Sequence, residues 1–213
     1  SAFDNSAAPD KYFHSSASIV PPSTLKIVDG KIPVAAERFV SPPNCLRLQW
    51  TSATGGDWRA TLRVASEYGR RFELEGDTLA LRCYSVEGLD RLAAPRIGVR
   101  DANGAGLPDI PLLTNLTSLP AGQWVEIRLP FSSFRTLFRD TRDQTFDSRK
   151  LASISFVQGL DDDKPHTLYV DDIRVLDSSA AQREVPAAPR GLMAQGFDRH
   201  IDLAWQTNPS NEA

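Results

Sequence analysis

Short runs in which apolar and polar residues alternate one by one leave this chain little choice of secondary structure. Leu46, Leu48 and Trp50 alternate with Arg47 and Gln49, and Trp58, Ala60, Leu62 and Val64 alternate with Arg59, Thr61 and Arg63. Leu79, Leu81 and Cys83 alternate with Ala80, Arg82 and Tyr84. Ile97 and Val99 are set against Arg96, Gly98 and Arg100, and Val125, Ile127 and Leu129 against Trp124, Glu126 and Arg128. A period of two sends successive side chains to opposite faces of a strand. One buried face and one wet face is the habit of antiparallel sheets. Turn residues recur between the runs, among them Gly55-Gly56 and Ala102-Asn103-Gly104. Sustained helical periodicity is absent, and only Phe131 to Phe138 has room for a short helical turn. The expected fold is all-β, an antiparallel β-sandwich.

The closing stretch, residues 150 to 176, is the most specific. Ala152, Ile154 and Phe156 alternate with Ser153, Ser155 and Val157. Gly159, three aspartates, Lys164 and Pro165 then form a connection. Leu168 and Val170 alternate with Tyr169 and Asp171, but the next apolar position is Asp172, and Ile173 and Val175 resume the pattern one residue late. A slip of one residue is what a β-bulge produces. Asp171 and Asp172 are therefore expected at a kink in the last strand of a domain.

The chain has 213 residues, enough to bury a core without disulfides or metals. Its 24 basic and 27 acidic side chains nearly balance, which argues against nucleic acid as a partner. No run approaches the length of a membrane span. The opening residues, SAFDNSAAPD, are polar and carry no signal peptide. An extracellular or periplasmic protein whose signal has been removed is the expectation. Cys83 falls with inward residues and Cys45 with outward ones, and both read as free thiols. His14, His166 and His200 are far apart in sequence, assigned to loops or the C-terminal fragment, with no metal-ligand spacing. No nucleophile elbow, phosphate-binding glycine loop or zinc-protease motif is present. Carboxylates are plentiful but sit in turns such as Asp161 to Asp163, so the chain itself is read as not an enzyme.

The outward positions offer another chemistry. Sugars are held by planar polar side chains that fork onto hydroxyl pairs and by rings that stack on the apolar sugar face. Gln49, Arg59, Arg82, Tyr84 and Arg128 supply the first kind, and Trp124, outward at the start of its strand, supplies a ring. Trp50 and Trp58 fall on the inward set and read as core. An ordinary solvated face covered by arginine stems carries the same residues, and the sequence does not say which strands are neighbours.

Residues 1 to 24 are rich in Ser, Ala and Pro, with Phe3-Asp4 a candidate edge strand. Composition shifts again near residue 178. The expected organisation is a domain over 1–178, a linker over 179–184 and part of a second β-domain over 185–213.

The closing Tyr169-Val170-Asp171-Asp172-Ile173-Arg174-Val175 resembles the last strand of jelly-roll modules attached to bacterial polysaccharide-degrading enzymes. The upstream segment Gln123-Trp124-Val125-Glu126-Ile127-Arg128-Leu129-Pro130, running on to Phe134, resembles a strand and turn of the same group, and Phe146-Asp147 to Ile154 resembles the segment that follows it. The order and spacing of these pieces resemble carbohydrate-binding jelly rolls of the family 11 type over residues 1 to 178. The resemblance implies a galactose-binding-like jelly roll that binds polysaccharide or oligosaccharide without catalysis and targets a secreted enzyme to its glycan. The alternative is a structural accessory domain packed on the catalytic domain of the same parent chain. The parent implied is a bacterial glycoside hydrolase, glucoamylase-like. The resemblance also implies one structural calcium between the N-terminal segment and the last strand, with Asp4, Asp171 and Asp172 as ligands, although Asn5 stands where the family more often has an acid. Further on, Pro186 to Ala194 followed by Ile201-Asp202-Leu203-Ala204-Trp205 resembles the first two strands of a fibronectin type III domain, a fold of about 100 residues, and so implies a truncated second domain.

Overall fold

The computed structural model describes residues 10–64, 74–134, 146–178, 190–196 and 201–206. The chain divides into two compact units, Ser1–Ser178 and Ser179–Ala213.

The larger unit is built from β1 (Ser15–Val20), β2 (Thr24–Leu25), β3 (Val34–Ala35), β4 (Cys45–Thr51), β5 (Asp57–Arg63), β6 (Thr78–Tyr84), β7 (Leu89–Asp90), β8 (Arg96–Asp101), β9 (Gly106–Pro111), β10 (Ser118–Leu119), β11 (Trp124–Pro130), β12 (Leu151–Val157) and β13 (Pro165–Leu176). Five strands form one sheet in the order β1-β5-β12-β8-β9, and a six-stranded sheet runs β11-β6-β13-β4-β2 with β3 also on β4. The described pairings of both sheets are antiparallel. The fold is an all-β antiparallel sandwich, as the period-two runs require. Strands that follow one another in sequence, β4 and β5 or β12 and β13, lie in different sheets, so the Gly55-Gly56 turn carries the chain across the sandwich rather than closing a hairpin. The Ala102-Asn103-Gly104 turn does join neighbours, β8 and β9. Phe131–Ser133 forms one 3-10 turn where a helical turn was expected.

The inward side chains of both sheets make one core. Leu46, Leu48 and Trp50 from β4, Leu79, Leu81 and Cys83 from β6, and Leu168 and Val170 from β13 meet Trp58, Ala60, Ile97, Ile154 and Phe156 from the other sheet. Trp50 and Trp58 pack with ring centroids 5.4 Å apart, and the Trp58 indole donates to Ser52 Oγ at 3.1 Å. Truncating a buried aromatic such as Phe156 to Ala costs about 3–5 kcal/mol, so this core holds the two sheets face to face. Tyr12 and Ile32, which no alternation marked, are also fully buried. The serine-rich β1 and the proline-bearing β9 were not read as strands. Both are edge strands, where few side chains need to be apolar and a missing N–H is tolerated.

The expected bulge is present. The pairing of β13 with β6 shifts register between Asp171 and Arg174, and Asp172 adopts a positive φ of 50°. The smaller unit contains a hairpin of β14 (Arg190–Gly196) and β15 (Ile201–Gln206). No described helix is long and apolar enough to cross a membrane.

Candidate functional site

The six-stranded sheet turns a row of large polar side chains away from the core. Trp124 on β11 pairs in register with Tyr84 on β6, Tyr84 with Tyr169 on β13, and Tyr169 with Arg47 on β4. The Tyr84 ring lies 5.5 Å from Trp124 and 5.9 Å from Tyr169, the second contact edge-on. One step along the strands, Gln49 faces Thr167. One step the other way, Asp171, Arg82 and Glu126 stand side by side.

A strap between β3 and β4 folds over the aromatic row. The Arg38 guanidinium sits 4.2 Å from the Tyr84 ring centroid and 5.4 Å from that of Tyr169, a cation–π geometry. Asp171 pins the strap. Its fully buried carboxylate accepts from the backbone N–H of Val40 at 2.6 Å, of Ser41 at 2.8 Å and of Asp172 at 2.7 Å. Cys45 lies buried beneath, packed with Ala35, Tyr84 and Tyr169. Burial, with the Asp171 carboxylate next in weight, pushes its thiol up to about 12. Cys45 and Cys83 are both free and both buried.

Beyond the strap the face is a charge network. Glu126 accepts from Arg128 Nε at 2.5 Å and from Arg174 at 3.0 Å, with Arg82 3.8 Å away. Asp172 lies 3.1 Å from Arg174 and 3.5 Å from Arg82. The Arg128 hydrogen bond, partly opposed by desolvation, holds the Glu126 carboxyl below the usual glutamate range.

Two adjoining cavities open where β4 and β13 approach their ends. One, of about 400 Å³, lies between Gln49, Thr167 and Tyr169 and the Ser85–Leu89 loop. The other, of about 370 Å³, lies between Trp50, Thr51 and Thr167 and the short edge strand β2. Both are of the size small-ligand sites use. Their shared wall holds His166, whose Nε2 is 2.8 Å from the Asp162 carboxylate. His166 therefore stands in β13 and not in a loop.

Of the sequence-predicted sugar residues, Gln49, Arg82, Tyr84, Arg128 and Trp124 share this face. Arg59 does not join them. It projects from β5 in the other sheet and lies 3.6 Å from Asp109, because alternation fixes in and out but not which sheet a strand enters. Tyr84 is only 8% exposed, so its ring is covered by the protein's own Arg38 rather than open to a ligand. Arg38, Tyr169, Thr167 and His166 were missed. Tyr169 and Thr167 carry the same alternation as the residues found, whereas Arg38 has no periodic signal at all.

The described residues do not fit the calcium implied for the closing strand. Asp171 is engaged by three amide donors and Asp172 by two guanidinium groups, all of which repel a cation. No cluster of three or more metal-binding side chains occurs among the described residues, and Asp4 lies outside them.

The comparisons with known proteins bear on this arrangement. No family model matches the chain. The chain is 30% identical over 204 residues, 95% of its length, to an exo β-1,2-glucooligosaccharide sophorohydrolase (non-reducing end) of Parabacteroides distasonis, and spans 28% of that relative. A solved β-1,2-glucanase from the same organism superposes with a TM-score of 0.70 at 27% identity, over 94% of this chain and 28% of that one. The family 30 carbohydrate-binding module of a cellulosomal cellulase from Clostridium thermocellum superposes at 0.56 with 18% identity, covering 83% of this chain and 96% of the module. A family 11 module from that organism, in complex with a β-1,3-1,4-mixed-linked tetrasaccharide, superposes at 0.51 with 16% identity, over 81% and 98%. The larger unit thus has the β-sandwich jelly-roll fold that these modules share. One expectation is overturned. The chain was read as not an enzyme, yet the relative matched over 95% of it is a glycoside hydrolase, and the non-enzyme assignment is withdrawn.

Proposed function

We propose that this chain is the β-sandwich portion of a glycoside hydrolase acting on β-1,2-linked glucan, and that the outer face of its six-stranded sheet holds the glucan. The observation that carries the reading is the 30% identity to the sophorohydrolase over 95% of the chain. The chemistry of the face supports it. The ring of Trp124, forked donors on Arg47 and Gln49 and a cleft of about 400 Å³ are what pyranose hydroxyls and apolar ring faces require. The chain spans 28% of the relative, so a partner domain of the same polypeptide belongs to the reading. A face that holds glucan weakly gains from such tethering, because the second contact becomes intramolecular. We also propose, from the resemblance of Pro186 to Ala194 and Ile201 to Trp205 alone, that the hairpin of β14 and β15 belongs to a fibronectin-like domain.

Isothermal titration with β-1,2-glucooligosaccharides tests this. Saturable binding is expected, and Trp124→Ala weakens it about tenfold while leaving the melting temperature within about a degree. Absence of binding at millimolar oligosaccharide overturns the proposed sugar-binding role.

A further inference from the structure

The outer face of the five-stranded sheet carries an unbalanced charge. Arg59 and Arg63 leave β5 on the outward side, Arg96 and Arg100 leave β8 there too, and all four are exposed. β12 runs between these strands. Its Ser155 is in register with Thr61 on one side and Gly98 on the other. Val157 pairs with Arg59 and Arg96, and Ser153 with Arg63 and Arg100. The four arginines therefore stand at the corners of a rectangle, about 10 Å across the strands and about 13 Å along them, with Ser155 at its centre.

In the charge network of the opposite sheet, Arg82, Arg128 and Arg174 each have a carboxylate within reach. Within the rectangle only Arg59 has one, Asp109 at 3.6 Å. Arg96 donates to the Asp109 backbone carbonyl and Arg100 to that of Gly104, neutral acceptors that leave the charge uncancelled. Arg63 has no side-chain partner among the described residues. The Asp109 carboxylate rests over Gly98, so the face already seats one acidic group. Asp57, the other outward carboxylate of β5, stands one step outside the rectangle. Among the described residues, no buried side-chain polar atom of this face lacks a partner. What the face lacks is negative charge.

The surroundings select the kind of anion. Guanidinium groups at this spacing match several carboxylates on one surface better than one small ion. Glycans and single-stranded nucleic acids bind on rings, and the aromatics of these five strands, Trp58 and Phe156, are both buried in the core. The net charge of −3 works against a duplex polyphosphate. The floor of Thr61, Ser155 and Gly98 is low, which leaves room for acidic side chains between the arginines. Arginine is also among the residues enriched at protein interfaces.

We propose that this face docks an acidic protein surface, with Arg59, Arg63, Arg96 and Arg100 as its contact residues. The inference is independent of the glucan reading and concerns the opposite sheet.

The test is calorimetric titration of the full chain with a ten-residue oligoglutamate, with oligoglutamine and oligogalacturonate as comparison ligands. Saturable binding of oligoglutamate is expected at low salt, weakening about tenfold between 20 and 200 mM salt, with oligoglutamine silent. The double variant Arg63→Ser with Arg100→Ser should weaken it about tenfold or more. Lys26→Ser, beside β2 on the other sheet, should leave it unchanged, and thermal unfolding confirms that each variant folds. No binding of oligoglutamate at millimolar concentration, or native-like affinity in the double variant, overturns the docking face. Oligogalacturonate bound as tightly as oligoglutamate overturns the assignment to a protein partner. None of these outcomes touches the glucan reading.

Discussion

The outer faces of the two sheets obey the same alternation and end with different capacities. On the five-stranded sheet the outward residues are mostly small or long and charged. Thr61 and Ser155 share a hydroxyl hydrogen bond at 3.1 Å, Arg59 pairs with Asp109, and Gly98 leaves the space that the Asp109 carboxylate fills. On the six-stranded sheet the equivalent positions hold Trp124, Tyr84 and Tyr169 in one row, a charge network beside them and two cavities at one end. The first face is finished as a surface. The second has buried polar atoms still wanting partners at Arg38, Arg47 and Gln49. Period-two patterning decides only which side chains leave the core. What a face can do depends on which strands the topology sets side by side.

The sharpest way to break the contrast is to remove what organises the second face. Asp171→Ala leaves three backbone amides without their acceptor, and a loss of about 3 kcal/mol in urea unfolding is expected, with Asp171→Asn losing about half. The strap then releases Cys45, and labelling by a thiol reagent at pH 7.5, slow in the native protein, becomes fast. An unchanged unfolding midpoint would mean that the strap does not depend on this carboxylate.

A smaller effect is expected in the charge network. The Glu126 carboxyl is depressed by its hydrogen bond from Arg128, so its contribution is present above the ordinary glutamate range and is lost as pH falls through the lower folded value. Glu126→Gln should cost about 1 kcal/mol at pH 7, a modest figure because Arg128 is well exposed. The gap between variant and native should narrow as pH falls below the ordinary glutamate range, measured as unfolding midpoints across pH. A gap that stays constant with pH would deny the pairing its role.

The smallest effect belongs to the first face. Gly98→Ala places a methyl group against the Asp109 carboxylate, which must swing away and release Arg59. Because only a flexible side-chain end has to move, the cost is below about 1 kcal/mol, and glucan affinity should not change. A change in affinity would bring the five-stranded face into the site.

The strands and the bulge were legible because both are local. Val170, Asp171, Asp172 and Ile173 display the slip within four residues, and the register shift appears there. The site was legible only in part. Gln49, Arg82, Tyr84, Trp124 and Arg128 carry the outward signal, but so does Arg59, and nothing local separates β5 from β4. The strap was invisible, since Asp171 receives an amide from Val40, 131 residues away, and neither position shows a pattern that names the other. Arg38 on Tyr84 is hidden for the same reason. His166 reads as a loop residue because the strand starts at Pro165, a residue that signals a turn.

The most direct test of the account is a map of backbone amide shifts during titration with β-1,2-glucooligosaccharides. The account predicts perturbations confined to β4, β6, β11, β13 and the Ser85–Leu89 loop, saturating together, with β1, β5, β8, β9 and β12 unmoved. Perturbations centred on the five-stranded sheet, or none on either face, would contradict it.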